Sequence, residues 1–259
     1  MDENEVNKVF TELEFKSLKE RVLGKNSSAS AEKTRPSAKT KSAKYSNGAI
    51  KLFLEKNQNT LIAIDIDFEG QFQNITNLNW GIANENEILY FSHTELDSKD
   101  KDALLIWLQN KEQSKAVHGA KDFYHISRFL EIEFAGLVDD IEISSYLVNP
   151  GLRSYELEDI SIRVLGFSPG QSSDSNGQLS FDSDSNLEAL GLRAQVIYLI
   201  SKKMTNKLKE QNLEKLFFEL ELPLAKLLSE MEDAGIAVDL KKLNSLQIEW
   251  NLPDANFFL

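Results

Sequence analysis

Leu61-Ile62-Ala63-Ile64-Asp65-Ile66-Asp67 is the stretch on which the reading of this chain turns. A short run of β-branched and apolar residues of this length is a strand bounded for burial, too short for a core helix. Side chains alternate across a strand, so Asp65 and Asp67 share one face. Two like charges on one face of an apolar strand are costly unless a cation or hydrogen-bond donors compensate them. Enzymes of two-metal phosphodiester hydrolysis begin their sites with such a D-x-D or D-x-E pair. Aspartates at a strand end that merely face water give the same pattern, and the pair by itself does not separate the two readings.

Working outward, Ala49-Ile50-Lys51-Leu52-Phe53-Leu54 precedes this strand, while Ile75 to Ile82 and Glu87-Ile88-Leu89-Tyr90-Phe91 follow it. These runs, separated by polar turn residues, read as a strand meander. Lys99 to Gln109 reads as a helix with Ala103, Leu104, Trp107 and Leu108 on one side, and Lys115-Ala116-Val117-His118 as a short strand. Asp122 to Leu130 and Ile141 to Val148 read as helices, the second ended by Asn149-Pro150-Gly151. Strands followed by alternating helices and a strand predict an α/β domain with a mixed sheet. Past a polar loop from Gln171 to Asp184, Leu187 to Leu208 traces one long helix and Leu213 to Met231 another. Pro223 is expected to kink or restart the second, and Gly235 to stop it.

The N-terminal side is different. Val6 to Leu23 has helical apolar spacing with Gly24 as its stop. Asn26 to Lys44 holds no large apolar residue and sets Lys33, Arg35, Lys39, Lys41 and Lys44 against Glu32 alone. Such a stretch cannot bury enough surface to offset its chain entropy, and it reads as a flexible basic tether, solvated or in transient contact with DNA.

The chain has 259 residues, 41% of them apolar, enough for one good core with incomplete flanks. With no cysteine, disulfides and thiolate metal sites are excluded, so any metal must be held by carboxylates or the three histidines. No apolar run approaches the roughly 20 residues of a membrane span, and the acidic start lacks the features of a signal peptide, so a soluble cytoplasmic protein is expected. A net charge of -12 opposes unaided binding to a polyanion.

Partners for the two aspartates are sought at the turn after the short strand and on the long helix. Those places hold Gly119, Ala120 and Phe123, and Gly191, Leu192 and Arg193. His118 and His125 are seven residues apart with no spacing rule joining them, and each reads as a surface or hydrogen-bonded histidine. Trp80, Trp107 and Trp250 read as core or amphipathic anchors. No phosphate-cradling glycine loop, zinc motif or nucleophile elbow is found.

Three stretches resemble bacterial DNA polymerase I of family A, particularly its actinobacterial members. Glu12-Leu13-Glu14-Phe15 with Leu18 and Arg21 is similar to the ELEF-x-x-L-x-x-R end of the 5′ nuclease domain. Ser144-Ser145-Tyr146-Leu147-Val148-Asn149-Pro150-Gly151-Leu152-Arg153-Ser154-Tyr155-Glu156-Leu157 resembles the AAYLLNPG-x-RSY-x-L stretch of the 3′-5′ exonuclease domain. Glu221-Leu222-Pro223-Leu224 through Met231-Glu232 to Asp239 resembles the entry to the polymerase domain. The resemblance implies a ribonuclease H-like 3′-5′ exonuclease fold of the DEDD type, α/β with a mixed sheet, followed by long helices. It divides the chain into the end of a 5′ nuclease domain (1–24), a flexible basic linker (25–48), the exonuclease-like domain (49–209) and a truncated start of the polymerase domain (210–259).

Carried over residue by residue, the family's D-x-E falls on Asp65-Ile66-Asp67. The asparagine and aspartate of N-x-x-x-D fall on Gly119 and Phe123, and the tyrosine and aspartate of Y-x-x-x-D on Ala189 and Arg193. Of the four carboxylates that hold Mg²⁺ in the family, Asp65 and Asp67 remain, as a residual metal site at best. The expectation is a catalytically silent domain that needs no cofactor of its own, with Arg193 pairing to Asp65 or Asp67. Its partners would be DNA, bound weakly, and the 5′ nuclease and polymerase domains of a longer parent chain acting in DNA replication and repair. One alternative is an active DEDD exonuclease in which Asp122 or Asp140 rebuilds the site; another is a stand-alone protein-interaction module. The polymerase catalytic motifs are absent, and the segment from Gln247 to Leu259 departs from the family, as in a truncated or frameshifted reading frame.

Overall fold

A computed structural model describes residues 41–167 and 183–250. The amphipathic stretch from Val6, most of the basic tether and of the polar loop, and the C-terminal residues from Asn251 lie outside the described residues.

Six strands form one mixed sheet in the order β1-β4-β3-β2-β5-β6. They are β1 (Lys41–Lys44), β2 (Ile62–Gln71), β3 (Asn74–Ala83), β4 (Glu87–Ser92), β5 (Lys115–Val117) and β6 (Leu137–Asp140). β2, β3 and β4 are the antiparallel meander, while β5 runs parallel to β2 and β6 parallel to β5. The expected mixed α/β sheet is therefore present, and two of its strands, β1 and β6, are ones the hydrophobic pattern does not mark. β1 lies where the basic tether was expected to continue: Lys41 to Lys44 pair in parallel with Glu87 to Tyr90, all four side chains exposed. Backbone pairing to an existing edge orders this segment, which brings no large apolar side chain. β6 escaped notice because only four residues separate its start from the next helix and two of them are aspartates.

The helices are α1 (Ala49–Lys56), α2 (Ser98–Gln109), α3 (Ala120–Phe129), α4 (Ile141–Val148), α5 (Leu157–Leu165), α6 (Ser183–Glu210), α7 (Leu222–Ala234) and α8 (Leu240–Glu249). α1 corrects the strand expected at Ala49 to Leu54. Its buried Ile50, Phe53 and Leu54 have i, i+3, i+4 spacing, Leu52 points to solvent, and the Asp100 carboxylate accepts from the Gly48 and Lys51 amides at 2.7 and 2.9 Å. A six-residue apolar run fits either period, and this distant cap decides between them. Pro223 does restart a helix: it lies in the first turn of α7, after a short π-helical segment, Phe217–Glu221.

Two hydrophobic layers cover the sheet. Ile62, Ile64, Trp80, Ile82 and Phe91 pack on one side with residues of α1, α2 and α3, including Phe53, Trp107 and Phe123. Ala63 and Ala116 face the other side, against Ile141 of α4, Ile160 of α5, and Ile197, Ile200 and Met204 of α6. The alternation along β2 thus gives its large residues to the first layer and its small ones to α6. Trp80 and Trp107 are core residues as expected, whereas Trp250 is exposed. Among the described residues no helix is long and apolar enough to cross a membrane.

Candidate functional site

Asp65 follows Ala63 on the α6 face of β2, and two glycines determine what it meets there. Gly81 is its partner across the β2–β3 ladder. A Cβ on Gly81 would stand 2.3 Å from the Leu190 carbonyl oxygen, and one on Gly191 would stand 2.7 Å from the Ile88 side chain. Only glycine at both positions lets the α6 backbone lie directly on β3 and β4. Arg193, two residues further along α6, then reaches Asp65, its Nε donating to Oδ2 at 2.5 Å. The Asp65 side chain is only 4% exposed and that of Arg193 48%. Burial pushes the Asp65 carboxyl above the usual carboxylate range, with the guanidinium pulling the other way. Of the two expected partners for Arg193, Asp65 is the one engaged. Asp67 is exposed and lies outside the pocket around Asp65.

That pocket, about 480 Å³, is bordered by Asp65, His118, Asp122, Glu156, Glu158 and Arg193. His118 is anchored through Nε2 to the Tyr155 carbonyl at 3.0 Å. The other positions of the expected site scatter. Gly119 is in the left-handed region (φ 79°) at the start of α3, where its amide and that of Ala120 are held by the buried Asp140 carboxylate at 3.2 and 2.7 Å. Asp140 also accepts from the Glu142 amide at 2.9 Å. Its role is therefore to cap two helices, and its oxygens are committed to backbone donors. Phe123 points into the core and stacks on Phe134 with centroids 5.5 Å apart. Asp122, beside it in sequence, is the residue of α3 that borders the pocket, and burial pushes its carboxyl up. Ala189 is exposed on α6.

A divalent ion pair needs several carboxylate oxygens converging on one point. Among the described residues no group of three or more His, Asp or Glu side chains is placed to share an ion. With Asp65 engaged by a guanidinium and Asp67 turned to solvent, this donor set does not fit the Mg²⁺ pair that the family resemblance implies.

His125 belongs to another region, the seam between α3 and α7. Its ring is buried, stacked on Phe72 at 4.2 Å between centroids, and flanked by Glu232 Oε2 and Asp233 Oδ1, each 2.9 Å from a ring nitrogen. Lys121 pairs with Glu232 at 2.7 Å, Arg128 pairs with Asp233 and donates to the Ser229 carbonyl at 3.0 Å, and Lys226 reaches Glu133 at 3.1 Å. The expectation of a hydrogen-bonded histidine holds here. The partners were unreadable because they lie more than a hundred residues away.

Residues 68–165 match a family profile described as DNA polymerase I, ribonuclease H-like domain. Over 261 aligned residues the chain is 26% identical to DNA polymerase I of Mycobacterium tuberculosis (strain ATCC 25618 / H37Rv), covering 96% of this chain and 28% of that protein. The chain thus spans less than a third of that relative's length. Among solved structures, the POL domain of Pol1 from M. smegmatis, in complex with DNA primer-template and dNTP, superposes with a TM-score of 0.66 at 25% identity, covering 82% of this chain and 35% of that one. Escherichia coli RNase D, an exoribonuclease, superposes with a TM-score of 0.58 at 11% identity, covering 83% of this chain and 56% of that one, a likeness of fold alone.

Proposed function

We propose, from the match of residues 68–165 to the profile of the ribonuclease H-like domain of DNA polymerase I, that the chain is a segment of such a polymerase whose exonuclease-like domain is catalytically silent. The observation that carries this reading is the Arg193–Asp65 pair. A guanidinium bonded to the one buried carboxylate of β2 puts a fixed positive charge where hydrolysis needs an exchangeable divalent cation. Each ~1.4 kcal/mol of lost transition-state stabilisation is a tenfold loss of rate, so a site deprived of its metal pair falls by several powers of ten. Mg²⁺ then serves the parent enzyme elsewhere and has no resident site in this domain.

The domain's task in this reading is to space and stiffen an assembly in which a 5′ nuclease module (ending near residue 24) and a polymerase module (beginning near residue 210) act on DNA in replication and repair. Alone it binds DNA weakly, because a net charge of -12 opposes a polyanion. The apolar residues that α7 leaves exposed, Leu224, Leu227, Leu228 and Met231, support a following module that covers them.

The purified chain, given Mg²⁺ or Mn²⁺ and end-labelled single-stranded DNA, is expected to leave the 3′ end intact. Metal-dependent shortening that Asp65→Ala abolishes would overturn the proposal. One observation favours a second reading, an active exonuclease: Asp122 stands at the pocket with Asp65. Calorimetric titration with Mn²⁺ separates the two, since only that reading requires a divalent site that Asp122→Asn weakens.

A further inference from the structure

Behind the pocket, on the same side of the sheet, lies a cluster of buried polar atoms that the preceding reading does not use. Asp139, the third residue of β6, is 1% exposed, with Ser144 and Ser145 of α4 and Ser201 of α6 each 1% exposed or less. Neither carboxylate oxygen of Asp139 has a partner with hydrogen-bond geometry, and the same is true of the three serine hydroxyls. Native interiors pair nearly all such groups, so orphans at the carboxylate and at the Ser144 and Ser201 hydroxyls beside it need a physical cause. α4 and α6 pack directly on one another here.

We propose that Asp139 is a proton-operated fastener: as a neutral acid it lets α4 and α6 close over the end of β6, and its ionisation loosens that junction. A buried carboxylate without a cation is among the costliest groups a core can hold, whereas the protonated acid can donate to a serine oxygen and accept from another. None of the groups acting on the charge is a cation. From α4 and α6 it meets Ser144 and Ser201, and the ionisable group acting on it is the next residue, Asp140, itself acidic. Asp140 points to the opposite side, where it caps α3 and α4, and cannot share a proton without releasing those amides. Burial accordingly pushes the Asp139 carboxyl up to about 7, against the weaker pull of Ser201 and Ser144.

The sign of the consequence is fixed. The folded chain holds this proton more tightly than the unfolded chain, so the acid's contribution is complete below the ordinary carboxylate range and is lost as pH rises through about 7. Because α6 also carries Arg193 to Asp65, the junction that loosens lies directly behind the pocket.

The test compares the whole chain with Asp139→Asn, which has nearly the same shape and no ionisation. Urea unfolding at pH 5 to 8 is expected to show the wild-type unfolding constant rising by up to about a hundred-fold more than that of the variant. Amide exchange in α4 and α6 should quicken over the same range in the wild type only. Equal pH profiles for the two proteins would overturn the proposal. Carbon NMR of the Asp139 carboxyl in the wild type decides independently of whether the variant folds: titration near neutrality supports the fastener, and titration in the ordinary carboxylate range sinks it.

Discussion

The pocket around Asp65 and the seam between α3 and α7 are built from the same kinds of side chain, and they differ in where the charges sit. In the pocket one deeply buried carboxylate faces one half-exposed guanidinium, so most of the compensation rests on Arg193, with lesser help from His118 and the Ile66 backbone. In the seam the cations Lys121 and Arg128 and the ring of His125 share two adjacent acids, Glu232 and Asp233, and most of these groups touch water. A single buried pair is worth little against apolar replacements yet costs much when one partner is removed, while exposed pairs add small, screened increments. Charge in the pocket closes a site; charge in the seam fastens one element to another.

Removing the compensation in the pocket should therefore have the largest effect. Arg193→Leu is expected to destabilise the chain by about 3 kcal/mol in urea unfolding, with much of the loss restored when Asp65→Asn is added. Failure of the second substitution to rescue the first would mean that packing of the arginine stem, not its charge, is what matters. Gly81→Ala should cost about 2 kcal/mol, because a methyl group cannot share space with the Leu190 carbonyl unless α6 lifts from the sheet. In the seam, a double-mutant cycle on Arg128→Ala and Asp233→Ala should give a coupling of about 1 kcal/mol that shrinks in 1 M salt. A coupling as large as the Arg193 effect, or one indifferent to salt, would erase the contrast between the regions. Lys226→Ala, which cuts an exposed pair with Glu133, should change stability by less than about 0.5 kcal/mol.

Much of the fold was legible because its strongest signals are local. The short β-rich runs at Ile75 to Ile82 and Glu87 to Phe91 and the long periodic helix around Leu187 to Leu208 form the elements they announce. The failures share a cause. The strand expected at Ala49 to Leu54 fails because its five apolar residues satisfy both periods until Asp100 caps the helix from about fifty residues away. β1 carries no large apolar residue and joins the sheet by backbone pairing with β4. α5 was missed although Leu157, Ile160 and Leu165 have helical spacing, an overlooked signal that Gly166 at its end could have flagged.

The site was legible in part. The family resemblance implied that Arg193 would pair with Asp65 or Asp67, and the structure selects Asp65. The orientation of α3 did not, and a benzyl group expected to stand in the site is instead a core residue, with Asp122 turned to the pocket in its place.

By itself the sequence determined the central strands β2, β3 and β4, the long helix α6 and which acids lie on one face of β2, because those properties depend on side-chain pattern over a few residues. The tertiary structure alone decided that Asp65 is the acid Arg193 meets, that Asp140 is a cap and that Asp139 is buried beside serines with no cation acting on it. Burial and partnership are set by residues distant along the chain, and the energy of a charge depends on those surroundings more than on the identity of the group that carries it.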